Sequence, residues 1–188
     1  VLVRARVPVP APLAAGALAP WLAALVPSDE HDALLERAPL DLRVNALKGT
    51  QADVLAAFEG AQPIAGLAHG VRLGTQAPVE ASEAFKQGLF EVQDAGSQLI
   101  ADLCDARPGM TVIDLCAGAG GKTLALAADM KGEGQLIACD ANRQRLRHLI
   151  PRAERAGASF IETRLLDPGT ERKDLGDLHK AADVVLVD

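Results

Sequence analysis

The sequence predicts an α/β protein built on a parallel sheet with helices on both faces. From residue 111 onward, short apolar stretches typical of strands alternate with longer stretches whose apolar residues recur at helical spacing. Such alternation is typical of parallel strands joined by helical crossovers. A glycine-rich segment, residues 116–121, also joins the first of these strands to the first helix. We therefore expect a ligand site at the carboxyl edge of the sheet.

Composition and charge narrow the class of protein. The chain has 188 residues, of which 49% are hydrophobic and only 3% aromatic, so Ala, Leu and Val must form most of a core. The net charge of −6 is unlike that of a dedicated nucleic-acid binder, which is usually basic. Cys104, Cys116 and Cys139 have neither the pairing of a disulfide framework nor zinc-ligand spacing. We expect a monomer in a reducing cytoplasm, with buried cysteines and no metal.

The first 19 residues are rich in Pro and Ala, and we expect them to be irregular. Several prolines make the apolar stretch from Val7 to Val26 a poor transmembrane helix, so no membrane partner is expected. Arg4 and Arg6 precede an Ala-rich run, which leaves a signal peptide as the alternative. The absence of an initiator Met suggests a fragment or an unusual start codon.

Residues 20–92 are expected to form a small α/β accessory region. Alternating apolar residues predict a strand over 40–45, with Leu40, Leu42 and Val44 on one face. Ser28 and Thr50 are the expected N-caps of two helices. The predicted helices span 20–25, 28–37, 51–58 (ended by Gly60) and 81–85, and the other predicted strands span 71–73 and 89–92.

Residues 93–188 are expected to form the main domain. Its predicted strands span 111–115, 135–139, 159–163 and 183–187, and its predicted helices span 95–104, 121–130 and 142–156. Asp94 is expected to begin the first helix, and Pro151 is expected to kink or divide the last. Because only Asp188 follows the last strand, we expect the sheet to be incomplete at its C-terminal end.

Three kinds of ligand use a glycine-rich turn that opens a helix. A nucleoside triphosphate needs Gly-x-x-x-x-Gly-Lys-Ser/Thr, but Cys116 stands where the first glycine is required. A dinucleotide needs Gly-x-Gly-x-x-Gly, which Gly118 and Gly120 begin, but Thr123 replaces the third glycine. S-adenosylmethionine has no pyrophosphate, and it needs a short glycine turn beside an acidic residue at a strand end.

Each of the four predicted strands ends near an aspartate, and the four aspartates are expected at the same edge of the sheet. Asp114 precedes the glycine turn, and Asp140 ends the next strand about 20 residues further on, where a carboxylate can accept both ribose hydroxyls of an adenosine. Asp167 follows the third strand, where an adenine amino group could be met, and Asp188 follows the fourth. The pattern suits S-adenosylmethionine or NAD. The structural alternatives are a helix N-cap for Asp140 and an ordinary turn for Asp167.

Three segments, in this order, resemble the Sun/Nop2-type (RsmB-like) RNA cytosine-C5 methyltransferases, especially their bacterial ribosomal RNA branch. Residues 41–48 (DLRVNALK) resemble the family's segment before the catalytic domain, residues 90–98 (FEVQDAGSQ) resemble its lead-in helix, and residues 114–123 (DLCAGAGGKT) resemble its first cofactor motif. The family usually has Ala-Pro-Gly-Gly-Lys in that motif, whereas residues 118–122 read Gly-Ala-Gly-Gly-Lys. This change loosens the turn but keeps Gly-Gly-Lys. The resemblance covers about residues 20–188.

The resemblance implies a Rossmann-like S-adenosylmethionine-dependent methyltransferase sheet preceded by a small α/β RNA-binding region. It also implies methyl transfer to C5 of cytosine in RNA, with ribosomal RNA as the expected partner. Lys122 and Asp188 would also face the target base, and an acidic partner such as Asp188 would offset a cation that is unfavourable in a first helical turn. The implied cofactor site comprises Cys116, Ala117, Gly118, Ala119, Gly120, Gly121, Lys122, Asp140, Asp167 and Asp188.

The family's reaction uses two cysteines, one that attacks C6 of cytosine and one that helps to release the product. Both lie in motifs after the strand that ends at Asp188, so the resemblance places no catalytic nucleophile in this chain and implies that the chain alone is inactive. The alternative functions are a non-catalytic remnant that binds S-adenosylmethionine or RNA, and an NAD-dependent oxidoreductase.

Basic residues are the candidates for contact with RNA. Through the resemblance, Arg43 and Lys48 of the accessory region are preferred. The helix after Asp140 carries an arginine stripe, for which we favour a solvated surface over contact with RNA phosphates. The stripe consists of Arg143, Arg145, Arg147, Arg152 and Arg155. The four histidines share no spacing and are expected at the surface.

Overall fold

The computed structural model describes residues 18–74 and 77–188. The predictions for residues 1–17, including the irregular N-terminus, therefore lie outside the described residues. Two compact units are separated between Ala38 and Pro39. In the first unit, helix α1 spans Pro20–Ala23, a 3-10 turn spans Ser28–Glu30 and helix α2 spans His31–Leu35. The predicted N-cap at Ser28 is wrong, because Ser28 lies inside the 3-10 turn and the side chain of Glu30, the N-cap residue of α2, makes no capping hydrogen bond.

The second unit begins with a four-stranded antiparallel sheet in the order β2-β3-β1-β4. The strands are β1 Leu40–Val44, β2 Gln62–Pro63, β3 Gly70–Leu73 and β4 Phe90–Val92. Helix α3 spans Gln51–Ala57, and a 3-10 turn at Val79–Ala81 precedes helix α4 at Glu83–Lys86. Thr50 caps α3 as predicted, in a reciprocal capping box with Asp53. The short strand β2 was not predicted.

Strand β1 is buried on both of its faces. Leu42 and Val44 pack with Phe90 in an apolar cluster, as the alternating pattern predicts. The residues between them, Asp41 and Arg43, are buried as well. This second, polar face is covered by other parts of the chain, so alternation identified the strand but did not reveal that its polar face is also buried.

The second sheet is entirely parallel, in the order β7-β6-β5-β8. Its strands are β5 Thr111–Asp114, β6 Gln135–Asp140, β7 Glu162–Leu165 and β8 Val184–Leu186. Its helices are α5 Ala95–Asp102, α6 Gly121–Asp129, α7 Arg143–Ala156 and α8 Glu171–Asp174, and a 3-10 turn spans Gly176–Leu178. The predicted α/β fold class is confirmed.

Alternate residues of the central strands face two separate apolar clusters. Val112 and Leu136 contribute to a large cluster with residues of α6 and α7, whereas Ile113 and Ile137 contribute to a smaller one with Leu178. Both faces of the parallel sheet are therefore covered, as continuous apolar strands require.

Two details of the main domain differ from the sequence prediction. Strand β7 begins at Glu162 because the preceding residues form turns, in which the Ala158 N–H donates to Ala153 O and the Ile161 N–H to Ala158 O. Pro151 does not divide α7, which runs without interruption to Ala156. Burial of one helix face on the sheet outweighs the loss of a single main-chain donor at Pro151.

The two sheets belong to one compact unit, so the predicted boundary at 92/93 lies inside that unit. The side-chain amide of Asn45 donates to Gly88 O and to Ala156 O, each at 2.8 Å, and so joins β1 to the end of α7. Within residues 18–74 and 77–188, no helix is long and apolar enough to cross a membrane.

Candidate functional site

A glycine-rich loop, residues 115–120, connects β5 to α6 at the carboxyl edge of the parallel sheet. Gly118 and Gly120 have positive φ values of 57° and 88°, a conformation that glycine adopts without strain. Gly120 is the N-cap residue of α6, and a Cβ atom there would lie 2.1 Å from Cδ1 of Leu149. The turn therefore requires glycine at 120 for two reasons, backbone conformation and close packing against α7.

Asp114 lies beneath this loop and is 2% exposed. Its Oδ2 accepts a 2.7 Å hydrogen bond from the Thr123 hydroxyl, which ties the end of β5 to the first turn of α6. Burial raises the pKa of Asp114, and hydrogen bonds from Thr123 and from the main chain of Cys116 oppose that rise. Thr123, which replaces the third glycine of a dinucleotide motif, therefore has a structural partner here.

Asp140 ends β6 next to the loop. Its Oδ2 accepts from the Gly118 N–H at 2.8 Å and its Oδ1 from the Asn142 N–H at 2.6 Å. Asn142 is itself the N-cap residue of α7, so Asp140 does not cap that helix. An ionised carboxylate has about four lone-pair sites, so two acceptor sites remain after these two bonds.

A pocket of about 290 Å³ lies where the loop, the β4–α5 connection and the end of β8 meet. Its lining combines main chain with polar side chains, and includes Val92, Gln93, Asp94, Ser97, Asp114, Cys116, Ala117, Gly121, Lys122 and Asp188. Five of the predicted site residues are brought together here: Cys116, Ala117, Gly121, Lys122 and Asp188. The sequence analysis missed Gln93, Asp94 and Ser97, although the segment 90–98 that holds them carried part of the resemblance.

Lys122 and Asp188 form an ion pair in this pocket. Nζ of Lys122 lies 2.6 Å from Oδ2 of Asp188 and 3.3 Å from Oγ of Ser97. The main-chain hydrogen bond from Ser97 is the largest cause of the lowered pKa of Asp94, and the charge of Lys122 makes a smaller contribution in the same direction. The acidic partner expected for a cation in the first turn of α6 is therefore Asp188.

Asp167 occupies a different setting from the other three aspartates. It is exposed, and its main-chain carbonyl accepts hydrogen bonds from Thr170, which closes the turn Asp-Pro-Gly-Thr. Within 77–188, no hydrogen bond joins its carboxylate to the glycine loop. The geometry of Asp167 thus matches the turn alternative, and its place in a ligand site stays a prediction.

The three cysteines lie in three different environments. Cys139 is fully buried, and burial raises the pKa of its thiol to about 11. Cys104 is partly buried, and burial likewise raises its pKa. Cys116 is exposed in the pocket, so the prediction that it is a buried apolar residue is wrong. The glycine loop turns the Cys116 side chain outward, because Asp114 and Ala117 occupy the buried positions on either side.

Arg43 is unsuited to the RNA contact predicted for it. Its side chain is buried, donates to Oε1 of Gln93 at 2.8 Å, and has a pKa lowered to about 10 by burial. Lys48 is exposed and donates to Gln87 O. The prediction for Arg43 is wrong because helices and loops of the main domain cover the polar face of β1.

The arginine stripe of α7 divides into two groups. Arg143, Arg145 and Arg147 are exposed, as the solvated-surface interpretation predicts. Arg152 and Arg155 instead turn inward and bind the buried carboxylate of Glu91 in β4.

The four histidines were expected at the surface. His148 and His179 are exposed, whereas His31 and His69 are half-buried, so the prediction fits only two of the four fully.

The parallel sheet with its glycine loop and acidic strand ends defines the Rossmann-like fold of S-adenosylmethionine-dependent methyltransferases. Residues 101–188 match the family model described as 16S rRNA methyltransferase RsmB/F. Through these residues the chain belongs to the RsmB/F family of methyltransferases.

Similar proteins agree with this assignment. The chain is 35% identical over 145 residues to the probable ribosomal RNA small subunit methyltransferase B of Synechocystis sp., across 70% of this chain and 31% of that protein. It is 33% identical over 158 residues to the ribosomal RNA small subunit methyltransferase B of Enterobacter sp., across 81% of this chain and 36% of that protein. The chain therefore spans about a third of the length of these curated relatives.

A solved structure supports the fold over more of the chain. The structure of a methyltransferase homolog protein from Pyrococcus horikoshii superposes with a TM-score of 0.69 at 28% sequence identity. The superposition covers 84% of this chain and 52% of that chain. The likeness therefore reaches beyond the matched residues 101–188 into the accessory sheet.

Proposed function

We propose that the pocket at the glycine loop binds S-adenosylmethionine and that the protein methylates C5 of cytosine in ribosomal RNA. One observation carries the proposal. The main chain of Gly118, in a loop without bulky side chains, donates to the Asp140 carboxylate at the carboxyl edge of a parallel sheet. A nucleoside can approach such a loop closely while its ribose hydroxyls donate to the carboxylate.

The residues present fit this cofactor. Asp140 keeps about two acceptor sites for a ribose, and it lies beside Gly118 but does not line the pocket. The cofactor is therefore proposed to extend along the loop from Asp140 to the pocket, whose volume of about 290 Å³ is close to the lower end of the usual size of small-molecule sites. When bound, S-adenosylmethionine supplies an electrophilic methyl group. Gly120 and Leu149 shape the turn, and the Lys122–Asp188 pair supplies a fixed cation and carboxylate in the same pocket.

The nucleophile is proposed to lie in a segment outside these 188 residues. Cys139 and Cys104 are poor candidates, since burial raises both thiol pKa values. Cys116 reaches the pocket, but it lies in the loop proposed to hold the cofactor. The RNA partner is proposed to meet Lys48 of the accessory sheet region, which is exposed.

Calorimetric titration with S-adenosylhomocysteine tests the cofactor site, with NAD and ATP as competing ligand classes. We expect binding of S-adenosylhomocysteine alone, and Asp140→Asn should weaken it by about tenfold or more, because the amide cannot accept both ribose hydroxyls. Asp105→Asn is the matched control, as it makes the same change at an exposed residue that does not line the pocket, and it should leave the affinity unchanged.

Two outcomes would contradict the proposal. Binding of NAD with no binding of S-adenosylhomocysteine would favour the oxidoreductase alternative. Equal affinity in the wild type and Asp140→Asn would remove Asp140 from the site. Transfer of a labelled methyl group from S-adenosylmethionine to small-subunit ribosomal RNA, measured on the full-length gene product, tests the reaction itself.

A further inference from the structure

A buried carboxylate links the accessory sheet to helix α7. Glu91, in β4, is 3% exposed and accepts from both inward-facing arginines of α7. Arg152 donates to Oε2 of Glu91 from Nε at 3.2 Å and from Nη2 at 2.8 Å, while Arg155 binds Oε1. Two guanidinium groups therefore share one buried carboxylate, which holds both of them in fixed orientations.

Arg152 makes one contact that Arg155 does not. Its Nη1 donates a 2.7 Å hydrogen bond to the main-chain carbonyl of Ala119, in the centre of the glycine loop. A planar guanidinium can bind a carboxylate through one edge and a carbonyl through another, whereas the single ammonium group of lysine lacks this fixed geometry. Arg152 thus connects Glu91 of the accessory sheet to a loop that has few side chains of its own to hold it.

We propose that Arg152 is a positioning residue for the glycine loop, oriented by Glu91 and acting through the Ala119 carbonyl. The bond fixes the peptide between Ala119 and Gly120, which begins one residue after Gly118, and the Gly118 N–H donates to Asp140. Anchoring the loop before the ligand arrives reduces the ordering that binding requires. The predicted effect of Arg152 on cofactor affinity rests on the proposed function, whereas its predicted effect on the loop does not.

Arg155 provides the matched comparison. It lies three residues along the same helix, binds the same carboxylate and stacks over Phe85, with Cζ 3.8 Å from the ring centroid. Arg152 and Arg155 are similarly buried, with side chains 25% and 21% exposed. Replacing either arginine leaves Glu91 with one cation, but only replacement of Arg152 releases the loop.

The experiment compares Arg152→Gln, Arg155→Gln and Arg152→Lys, using amide hydrogen exchange without ligand and titration with S-adenosylhomocysteine. We expect the Gly118 and Gly120 amides to exchange about tenfold faster in Arg152→Gln, and to change less than about twofold in Arg155→Gln. The dissociation constant should rise about tenfold in Arg152→Gln only. Arg152→Lys should recover thermal stability, because it keeps a cation for Glu91, but should not recover loop protection.

The outcomes separate the inference from the proposed function. Equal effects of Arg152→Gln and Arg155→Gln on loop exchange would show that Arg152 acts only on general stability, and so would full recovery by Arg152→Lys of both stability and loop protection. Unchanged loop exchange in Arg152→Gln would overturn the inference directly. If the wild type binds no S-adenosylhomocysteine while loop exchange responds as expected, the positioning role stands and the cofactor assignment fails.

Discussion

The side-chain amide of Asn45 donates a hydrogen bond to the carbonyl oxygen of Ala156 across 2.8 Å. The same amide donates to Gly88 O, and Oδ1 of Asn45 accepts from the Leu47 N–H at 3.1 Å. Asn45 is 2% exposed, so water cannot replace these bonds. The hydrogen bonds of this one side chain therefore connect the end of β1 with the turn before β4 and with the end of α7.

Asn45→Ala should lower the free energy of unfolding by about 2–4 kcal/mol, because two buried carbonyl groups lose their donor. Urea denaturation followed by circular dichroism measures the change. Gln62→Ala, at an exposed position of β2, should change stability by less than about 0.5 kcal/mol. A loss for Asn45→Ala no larger than that of the control would show that the two hydrogen bonds contribute little.

Gly120→Ala should destabilise the protein by about 3 kcal/mol or more, because it combines a left-handed backbone with a clash against buried Leu149. Gly60→Ala is the matched control, since Gly60 has a φ of 72° and its Cβ would meet nothing within 4 Å. That variant should lose only about 1 kcal/mol. Thermal unfolding of both variants measures the difference, and equal losses would rule out the clash.

Replacing exposed Arg72 by Ala should cost more stability than replacing buried Asp41 by Asn. Arg72 binds Asp41 through Nε and Nη2 at 2.7 and 2.8 Å, and the Ala95 N–H adds a third bond at 3.2 Å. Arg72→Ala removes two hydrogen-bond donors and the cation from the buried carboxylate of Asp41, for a loss of about 3 kcal/mol. Asp41→Asn keeps a polar acceptor and leaves Arg72 in contact with water, for a loss of about 1–2 kcal/mol.

Denaturant titration of both single variants and of the double variant separates these terms. The double variant should lose less than the sum of the two single losses, because the second substitution removes no further interaction between the pair. Additive losses would indicate that Arg72 and Asp41 contribute independently.

Stability should fall as the pH rises through the range in which Asp129 ionises. Burial, and secondarily the nearby Asp102, raise the pKa of Asp129 from 3.8 to about 6. The folded state therefore holds this proton at pH values where the unfolded state has lost it, so the contribution is fully present below about pH 4 and is lost as the pH passes 6.

Asp129→Asn should remove this dependence. At pH 7 the variant should be more stable than the wild type by on the order of 1–2 kcal/mol, allowing for partial solvent screening, and the two should converge in their pH slope below pH 4. Asp102→Asn should reduce the amount of stability that is lost over this pH range, because it removes a like charge that raises the pKa of Asp129. Parallel stability curves for wild type and Asp129→Asn between pH 4 and 7 would contradict the assignment.

Much of the architecture could be predicted from sequence, and the exceptions have physical causes. The strands ending at Asp114 and Asp140 and the loop between them follow from local apolar runs and glycine. Ser28 and the start of β7 were misplaced because turns, whose main-chain hydrogen bonds join residues three to five apart, stand where a helix cap and a strand were predicted. Arg43 and Cys116 were misplaced in burial for a different reason, since exposure depends on which element covers a side chain.

The sequence by itself determined the parallel sheet, the glycine turn and the delivery of Asp114, Asp140 and Asp188 to one edge, because strand period and turn chemistry are local properties. Only the tertiary structure decided the partners of the buried polar groups. Asn45 and Ala156 are 111 residues apart in the chain, and Glu91 and Arg152 are 61 apart. No local pattern encodes such pairs, since each forms only when folding removes both groups from water and leaves each as the other's available partner.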